Sequence, residues 1–141
     1  MIGPAPGAYT AVVTGADNTT GIALVEVYDM QVSASSKLAN ISTRGVVGTG
    51  ANVMIGGTIV TGPDPARILF RAIGQSLASA GIANPLANPQ LELFNNNGTR
   101  LAANDNWRTA EERAPRLEAG FAKVIPSSFW RNDFFEERLH P

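Results

Sequence analysis

The chain has 141 residues, the length of one domain and enough to bury a hydrophobic core. Hydrophobic residues make up 44% of it and charged residues only 16%, so the composition indicates a folded, sparsely charged protein rather than a disordered chain. Eleven basic and twelve acidic side chains leave a net charge of −1, which excludes the basic surface typical of nucleic-acid-binding proteins. We therefore expect neither nucleic acid nor an anionic membrane as a partner.

The residue types that carry most metal and redox chemistry are almost missing. The sequence has no cysteine and a single histidine, His140, which excludes a disulfide framework, a thiol nucleophile and cysteine-ligated zinc. No apolar run approaches the roughly 20 residues that span a bilayer, and the first residues lack the basic and apolar regions of a signal peptide. We expect no cofactor, no membrane span and no signal peptide in this chain.

Turn residues recur every eight to twelve positions in the first part of the chain, as in an all-β sandwich or barrel. The β-branched segments between them predict about seven strands, over residues 8–14, 22–29, 38–44, 53–60, 67–73, 91–95 and 100–103. The first two strands are expected to form an antiparallel hairpin through the turn cluster that follows Thr14. In the strand over 67–73, Ile68, Phe70 and Ala72 are expected to form a dry face, opposite a mixed face.

Glycine and asparagine give two further local predictions. The run from Asn95 to Gly98 predicts a hairpin with a type I′ turn, because Asn-Gly tolerates positive φ. Gly56 and Gly57 predict a bulge or sharp coil in the strand over 53–60, since glycine weakens an uninterrupted strand.

Two short helices interrupt the β pattern. One is expected from Gln75 to the residue before Gly81, where Leu77 and Ile82 could plug one end of a sandwich. The other begins at Thr109, whose spacing to a glutamate three residues later is that of a capping box. Residues 108–141 carry twelve of the 23 charged side chains, and no strand or helix period continues past residue 120. They are expected to form a divergent helical or irregular tail.

Six motifs follow one another along the chain: PGAYTAVV from Pro6, TGIALVEVYD from Thr20, ISTRG from Ile41, NVMIGG from Asn52, RAIG from Arg71 and LELFNNNGTRLAANDNW from Leu91. Together they resemble a tandem repeat module of large secreted and cell-surface bacterial proteins. The first and the last of them also resemble elements of bacterial pre-peptidase C-terminal domains, which are β-sandwich accessory modules of exported enzymes. The resemblance implies a jelly-roll-like antiparallel β-sandwich, an extracellular or cell-surface location and a non-catalytic role.

The order of the motifs differs from that of the repeat module, in which the first two strands of this chain come last. Residues 1–31 therefore resemble the closing hairpin of one repeat and residues 38–107 the opening strands of the next, joined by a polar linker or crossover over 32–37. We expect the first two strands to fold back and complete one β-sandwich over residues 1–107, circularly permuted relative to the repeat unit.

Ser76 lies after a predicted strand and before a predicted helix, the context of a serine nucleophile elbow. A serine hydrolase also needs a base near the hydroxyl, and His140 lies next to the last residue of the tail. Ser76 is therefore expected to be a helix N-cap, with a small serine hydrolase as a distant alternative.

Asn104, Asp105 and Asn106 offer the hard oxygen ligands that calcium takes, opposite the asparagines of the predicted hairpin. A single carboxylate gives such a site little charge, and Asx-turns are an alternative use of these residues. Residues 45–50 lack the spacing of a phosphate loop and are expected to form a turn. The isolated carboxylates are expected to be solvated turn residues; they are Asp17, Asp29, Asp64, Glu92 and Asp105.

The aromatic residues leave two uses open. Tyr9 and Tyr28 are expected to pack in the core with their hydroxyls at the rim, and Trp107 is expected to plug a sandwich end or to contact a ligand. A cluster in the tail could contact a neighbouring module; it comprises Phe129, Trp130, Phe134 and Phe135.

We expect a non-catalytic structural or adhesive module of an exported bacterial protein, which spaces domains and contacts protein or polysaccharide. Its partners would be neighbouring modules of the same polypeptide or a surface polymer. The alternative is a substrate-targeting accessory domain of a secreted hydrolase.

Overall fold

The computed structural model describes residues 5–29, 40–63, 66, 68–105 and 121–124. Within these ranges the chain forms eight strands and two short 3-10 helices, so the predicted all-β class is confirmed. The strands are β1 (Gly7–Gly15), β2 (Gly21–Asp29), β3 (Asn40–Val47), β4 (Met54–Val60), β5 (Ile68–Ile73), β6 (Pro89–Asn95), β7 (Arg100–Asn104) and β8 (Phe121–Val124). The 3-10 helices are Ala16–Asn18 and Gln75–Ala80.

The strands form two four-stranded sheets, in the orders β4-β1-β6-β7 and β3-β2-β5-β8. Every neighbouring pair is antiparallel except β5 and β8, which run parallel. The predicted antiparallel architecture is therefore confirmed, with β8 as a strand that the sequence analysis did not predict.

One hydrophobic core receives side chains from both sheets. Alternate residues of β1, β2, β5 and β6 point to the same buried cluster, because successive side chains of a strand lie on opposite faces. The predicted dry face of β5 is confirmed, since its three residues are almost completely buried. The largest fully buried side chains are Phe70, Leu86, Leu91, Leu93, Val13 and Val47. The two sheets thus share a core, as a sandwich-like fold requires.

The predicted hairpin between the first two strands is wrong. Strand β1 is hydrogen-bonded to β4 on one side and to β6 on the other, so it has no free edge for β2. Strand β2 lies in the opposite sheet, between β3 and β5. Asp17 and Asn18 adopt positive φ values of 55° and 57° in the connection, which carries the chain from one sheet to the other. The turn residues indicated a reversal of the chain, but not whether it lies within one sheet or between two.

The hairpin of β6 and β7 is confirmed, but its turn is not of type I′. From Asn95 to Gly98, only Gly98 has a positive φ, of 74°. The N–H of Gly98 donates to the carbonyl of Asn95 at 3.0 Å, and Asn95 Oδ1 accepts from the N–H groups of Asn97 at 3.0 Å and Thr99 at 2.9 Å. The side chain of Asn95 therefore holds a turn that requires positive φ only at the glycine.

The predicted bulge at Gly56 and Gly57 is also wrong, because β4 pairs with β1 in an unbroken register from Met54 to Val60. Gly56 points into the core opposite Val25 of the other sheet, where an added Cβ would lie 3.4 Å from Cγ1. The glycine thus stands where the two sheets approach each other, and the strand stays regular.

The 3-10 helix Gln75–Ala80 confirms the predicted helix, and the loop after it covers one end of β2. The N–H of Ile22 donates to the carbonyl of Asn84, and the N–H of Leu86 donates to the carbonyl of Ile22, both at 2.8 Å. Leu86 is fully buried, whereas the predicted plugs Leu77 and Ile82 are only half-buried. Leu86 is therefore the residue of this loop that fills the core.

Both early strands belong to these sheets, since β1 pairs with β6 and β2 with β5. The division of the chain between two tandem repeats stays a prediction. The linker over 32–37, the helix expected from Thr109 and most of the tail lie outside the described residues. Within the described ranges, no helix has both the length and the apolar character needed to cross a membrane.

Gly21→Ala is expected to destabilise the fold by about 1–3 kcal/mol, because overpacking forces the backbone to move. An added Cβ at Gly21 would lie 2.7 Å from the Cα and N atoms of Leu86. The control is Gly57→Ala, where the new Cβ would meet only the carbonyl oxygen of Tyr9, at 3.8 Å. Urea denaturation should show a lower midpoint for the first variant only. Equal midpoints would contradict the close packing of the loop on β2.

Candidate functional sites

A buried ion pair lies at the centre of the second sheet. Glu26 of β2 and Arg71 of β5 are directly opposite in the register, and Arg71 Nη1 lies 3.3 Å from Glu26 Oε2. Only 11% of the glutamate side chain and 9% of the arginine side chain are exposed. Since Val25, Val27 and Phe70 occupy the core, the pair lies on the opposite face of the sheet. Strand β5 is thus buried on both faces at this point.

Tyr28 does not pack in the core as expected, because it lies on the same face of β2 as Glu26, where it adds a third polar group to this pair. Its hydroxyl interacts with both Glu26 and Arg71. Burial raises the pKa of the Tyr28 hydroxyl above its ordinary value of 10.0, and the charge of Glu26 and a hydrogen bond to it raise that pKa further, while Arg71 acts in the opposite direction. We call these three residues the Glu26 cluster. In the register, Ser42 of β3 stands opposite Glu26, and Lys123 of β8 stands opposite Arg71.

The Glu26 cluster combines a carboxylate, a guanidinium and a phenol in a site with little access to water. The two charges neutralise each other, and removal of either one would leave an uncompensated buried charge. The sequence analysis did not single out Glu26 and assigned Arg71 only to a mixed face. The available signal was a charged residue at the centre of an apolar run, in Val25-Glu26-Val27 and again in Phe70-Arg71-Ala72.

Ser76 does not cap its helix. The 3-10 helix begins at Gln75 after an unusual backbone conformation at Gly74, and no side chain makes the capping hydrogen bond. Ser76 is therefore inside the first turn, where its carbonyl accepts a 2.7 Å hydrogen bond from Ser79 Oγ. Its own Oγ is buried and has no hydrogen-bond partner in the described part of the chain. His140 lies outside the described residues, so the serine hydrolase alternative stays a prediction.

The calcium candidates are only partly described. Asn104 is buried at the end of β7, Asp105 is exposed, and Asn106 lies outside the described residues. Asn95, expected opposite them, uses its side-chain oxygen in an Asx-turn. The part of the chain that the structure describes holds no group of three or more acidic, histidine or cysteine side chains able to bind a metal. The calcium site stays a prediction.

The other carboxylates are spread over the fold. Glu92 is not a solvated turn residue as expected: it lies within β6, and its Oε1 accepts a 2.7 Å hydrogen bond from Arg100 Nη1 of β7. Asp17 and Asp105 are exposed, whereas Asp29 is half-buried at the end of β2. Asp64 lies outside the described residues. Cross-strand pairing, which sequence position does not reveal, explains the difference at Glu92.

Two remaining expectations concern a glycine-rich segment and the tyrosines. The turn expected over 45–50 forms only at its end, between β3 and β4, where the N–H of Gly48 donates to the carbonyl of Asn52 at 2.7 Å. Tyr9 packs in the core and its hydroxyl donates to the carbonyl of Ala5 at 2.6 Å, as expected for a rim hydroxyl. Burial raises the pKa of the Tyr9 hydroxyl. Trp107 and the aromatic cluster of the tail lie outside the described residues.

The fold and these groups define an all-β protein of two sheets with a buried charge cluster in one of them. Comparisons with protein-family models, with curated proteins and with solved structures give no significant match.

Glu26→Gln is expected to lower the free energy of unfolding by about 3 kcal/mol, because a buried arginine then loses its counter-charge. The double variant Glu26→Gln/Arg71→Met should cost less than the sum of the two single changes. Glu92→Gln is the matched control, since its partner Arg100 has a 60% exposed side chain, and exposed pairs contribute less than about 1 kcal/mol. Chemical denaturation of the four variants measures the effect, and strictly additive losses would contradict a buried pair.

Tyr28 is expected to ionise only above pH 10, its ordinary pKa being 10.0. Because the folded chain holds this proton more tightly than the unfolded chain, its contribution to stability is complete below pH 10 and is lost as the pH rises through the higher folded value. The chain has two tyrosines, so the ultraviolet titration of Tyr28→Phe reports Tyr9 alone, and subtraction from wild type isolates Tyr28. Glu26→Gln should move the Tyr28 midpoint down. A midpoint at or below pH 10 in the wild type would contradict the cluster.

Proposed function

We propose that this chain is a non-catalytic structural or adhesive module of an exported bacterial protein, which spaces neighbouring domains and contacts protein or polysaccharide. The observation that supports the proposal best is the position of the first two strands. Strand β1 is an interior strand of one sheet and β2 is an interior strand of the other. The first two strands therefore cannot leave the fold without disrupting both sheets.

A spacer between domains has to keep its shape when its neighbours move. Each interior strand is hydrogen-bonded along both edges. The two sheets share one apolar core, and separation of the sheets would expose this core to water. The Glu26 cluster supports the same role, because it links β2 to β5 on the face that the core does not reach.

The contact role is supported by exposed aliphatic side chains on the edge strands. The exposed large hydrophobic side chains among the described residues are Ile41 and Val46 on β3, and Ile55 and Ile59 on β4. A substrate-targeting domain would instead favour a row of exposed aromatic side chains, and that alternative depends on residues outside the described ranges, Trp107 first among them. The extracellular location in this proposal rests on the resemblance of the motifs.

Amide hydrogen exchange on the 141-residue chain tests the proposal. If the chain is a self-standing spacer, the amides of residues 8–29 and of residues 91–103 should be equally strongly protected, because β1 and β6 are hydrogen-bonded to each other in one sheet. Fast exchange confined to residues 8–29 would show that the early strands do not close this unit, and would contradict the proposal. The same experiment with millimolar calcium tests the metal prediction separately, through a gain of protection at residues 104–106.

A further inference from the structure

The two sheets have four edge strands, and one of them differs from the rest. The edges are β4 and β7 of one sheet and β3 and β8 of the other. Edge strands expose unpaired backbone groups, and soluble proteins usually protect them with charged residues or proline. Strand β3 contains Arg44, β7 contains Arg100 and β8 contains Lys123, whereas β4 contains neither a charged residue nor a proline. Among the described strands, β4 is paired only on its β1 side.

The outward face of β4 is apolar and open to solvent. Ile59 is 74% exposed and Ile55 is 61% exposed, and the exposed Gly57 lies between them. On the adjoining strand, Ala8 stands opposite Ile59 and Val12 stands opposite Ile55. The regular register of β4 leaves this edge straight, without the bulge that often blocks pairing.

The sequence of β4 is self-complementary about its middle residue. If a second β4 runs antiparallel about a two-fold axis at Gly57, Ile55 of each strand faces Ile59 of the other, and Met54 faces Val60. This register pairs all seven residues and forms two isoleucine pairs, whereas any shift leaves some residues unpaired and forms at most one isoleucine pair. A two-fold contact of this kind is closed, because it uses the same edge of both molecules.

We propose that β4 pairs with β4 of a second copy of this chain, antiparallel and about a two-fold axis at Gly57, which joins two four-stranded sheets into one of eight strands. Charge favours a second copy of β4 as the partner, since an uncharged strand meets no repulsion from its own copy. If β3 or β7 paired with its own copy, two arginines would be brought together. The contact is small, about 24 Å long for seven residues at roughly 3.4 Å each, and belongs to the low end of the interface scale. A weak, reversible homodimer is therefore expected. This inference goes beyond the proposed function and does not depend on it.

A disulfide trap tests the pairing directly. The chain has no cysteine, so Gly57→Cys introduces a single thiol, and an added Cβ there meets only the carbonyl oxygen of Tyr9, at 3.8 Å. Residues on the two-fold axis have Cα atoms about 4.5–5.5 Å apart, which is within disulfide range. Mild oxidation should cross-link this variant at least about tenfold faster than Val46→Cys, because paired strands raise the effective thiol concentration. Val46, on β3, is 74% exposed like Ile59, which makes it the matched control.

A lysine introduced on β4 provides a second test of the pairing. Ile59→Lys in the Gly57→Cys background should reduce cross-linking to the level of the control, and Val46→Lys in the same background should leave it unchanged. Circular dichroism and thermal unfolding of each variant verify that the monomer is folded. Equal rates for the two cysteine variants, faster cross-linking of Val46→Cys, or open-ended polymers of the wild-type chain would each overturn the two-fold pairing. None of these results would change the hydrogen-exchange test of the spacer role.

Discussion

The short connection between β1 and β2 is the constraint on which the rest of the fold depends. It places two consecutive strands in opposite sheets, with positive φ values at Asp17 and Asn18. The N–H and the hydroxyl of Thr19 both donate to the carbonyl of Ala16, and the N–H of Ala16 donates to the carbonyl of Asn88. Once β1 and β2 are separated in this way, both edges of each strand are open to later strands, and both sheets are built outward from them.

The second sheet combines two kinds of stabilisation that differ in their tolerance of change. Its core face is apolar and depends on packing, whereas its other face holds the Glu26 cluster, which depends on charge pairing. When apolar contacts are removed, the free energy of unfolding falls in proportion to the buried area that is lost. When one charge of a buried pair is removed, the free energy of unfolding falls by far more than the pair contributed, because the other charge stays buried. Strands β2 and β5 each contribute to the core and to the cluster, so a change in either strand affects both kinds of stabilisation.

Local sequence patterns predicted most strands to within three residues, because period-two alternation and turn residues are properties of short segments. They could not predict which strands pair. The turn residues after Gly15 predict a reversal of the chain but not the sheet to which the next strand belongs, and the partner of Glu26 lies 45 residues away in Arg71. Strand β8 was missed because its four residues show no clear period. The roles of the candidate site residues are predicted less well than the strands, because they depend on contacts between segments. Glu92 pairs with Arg100 across a hairpin. Ser76 lies inside the first turn of its helix rather than before it.

Strand β8, which pairs in parallel with β5, determines when the second sheet can be completed during synthesis. The sheet β4-β1-β6-β7 has all its strands once the chain has been made to Asn104, whereas the other sheet lacks its fourth strand until Val124 has emerged. Between β5 and β8 the chain builds β6 and β7 of the opposite sheet, so β8 returns to a partner made about 50 residues earlier. Until it does, one edge of β5 stays open to pairing with a foreign strand.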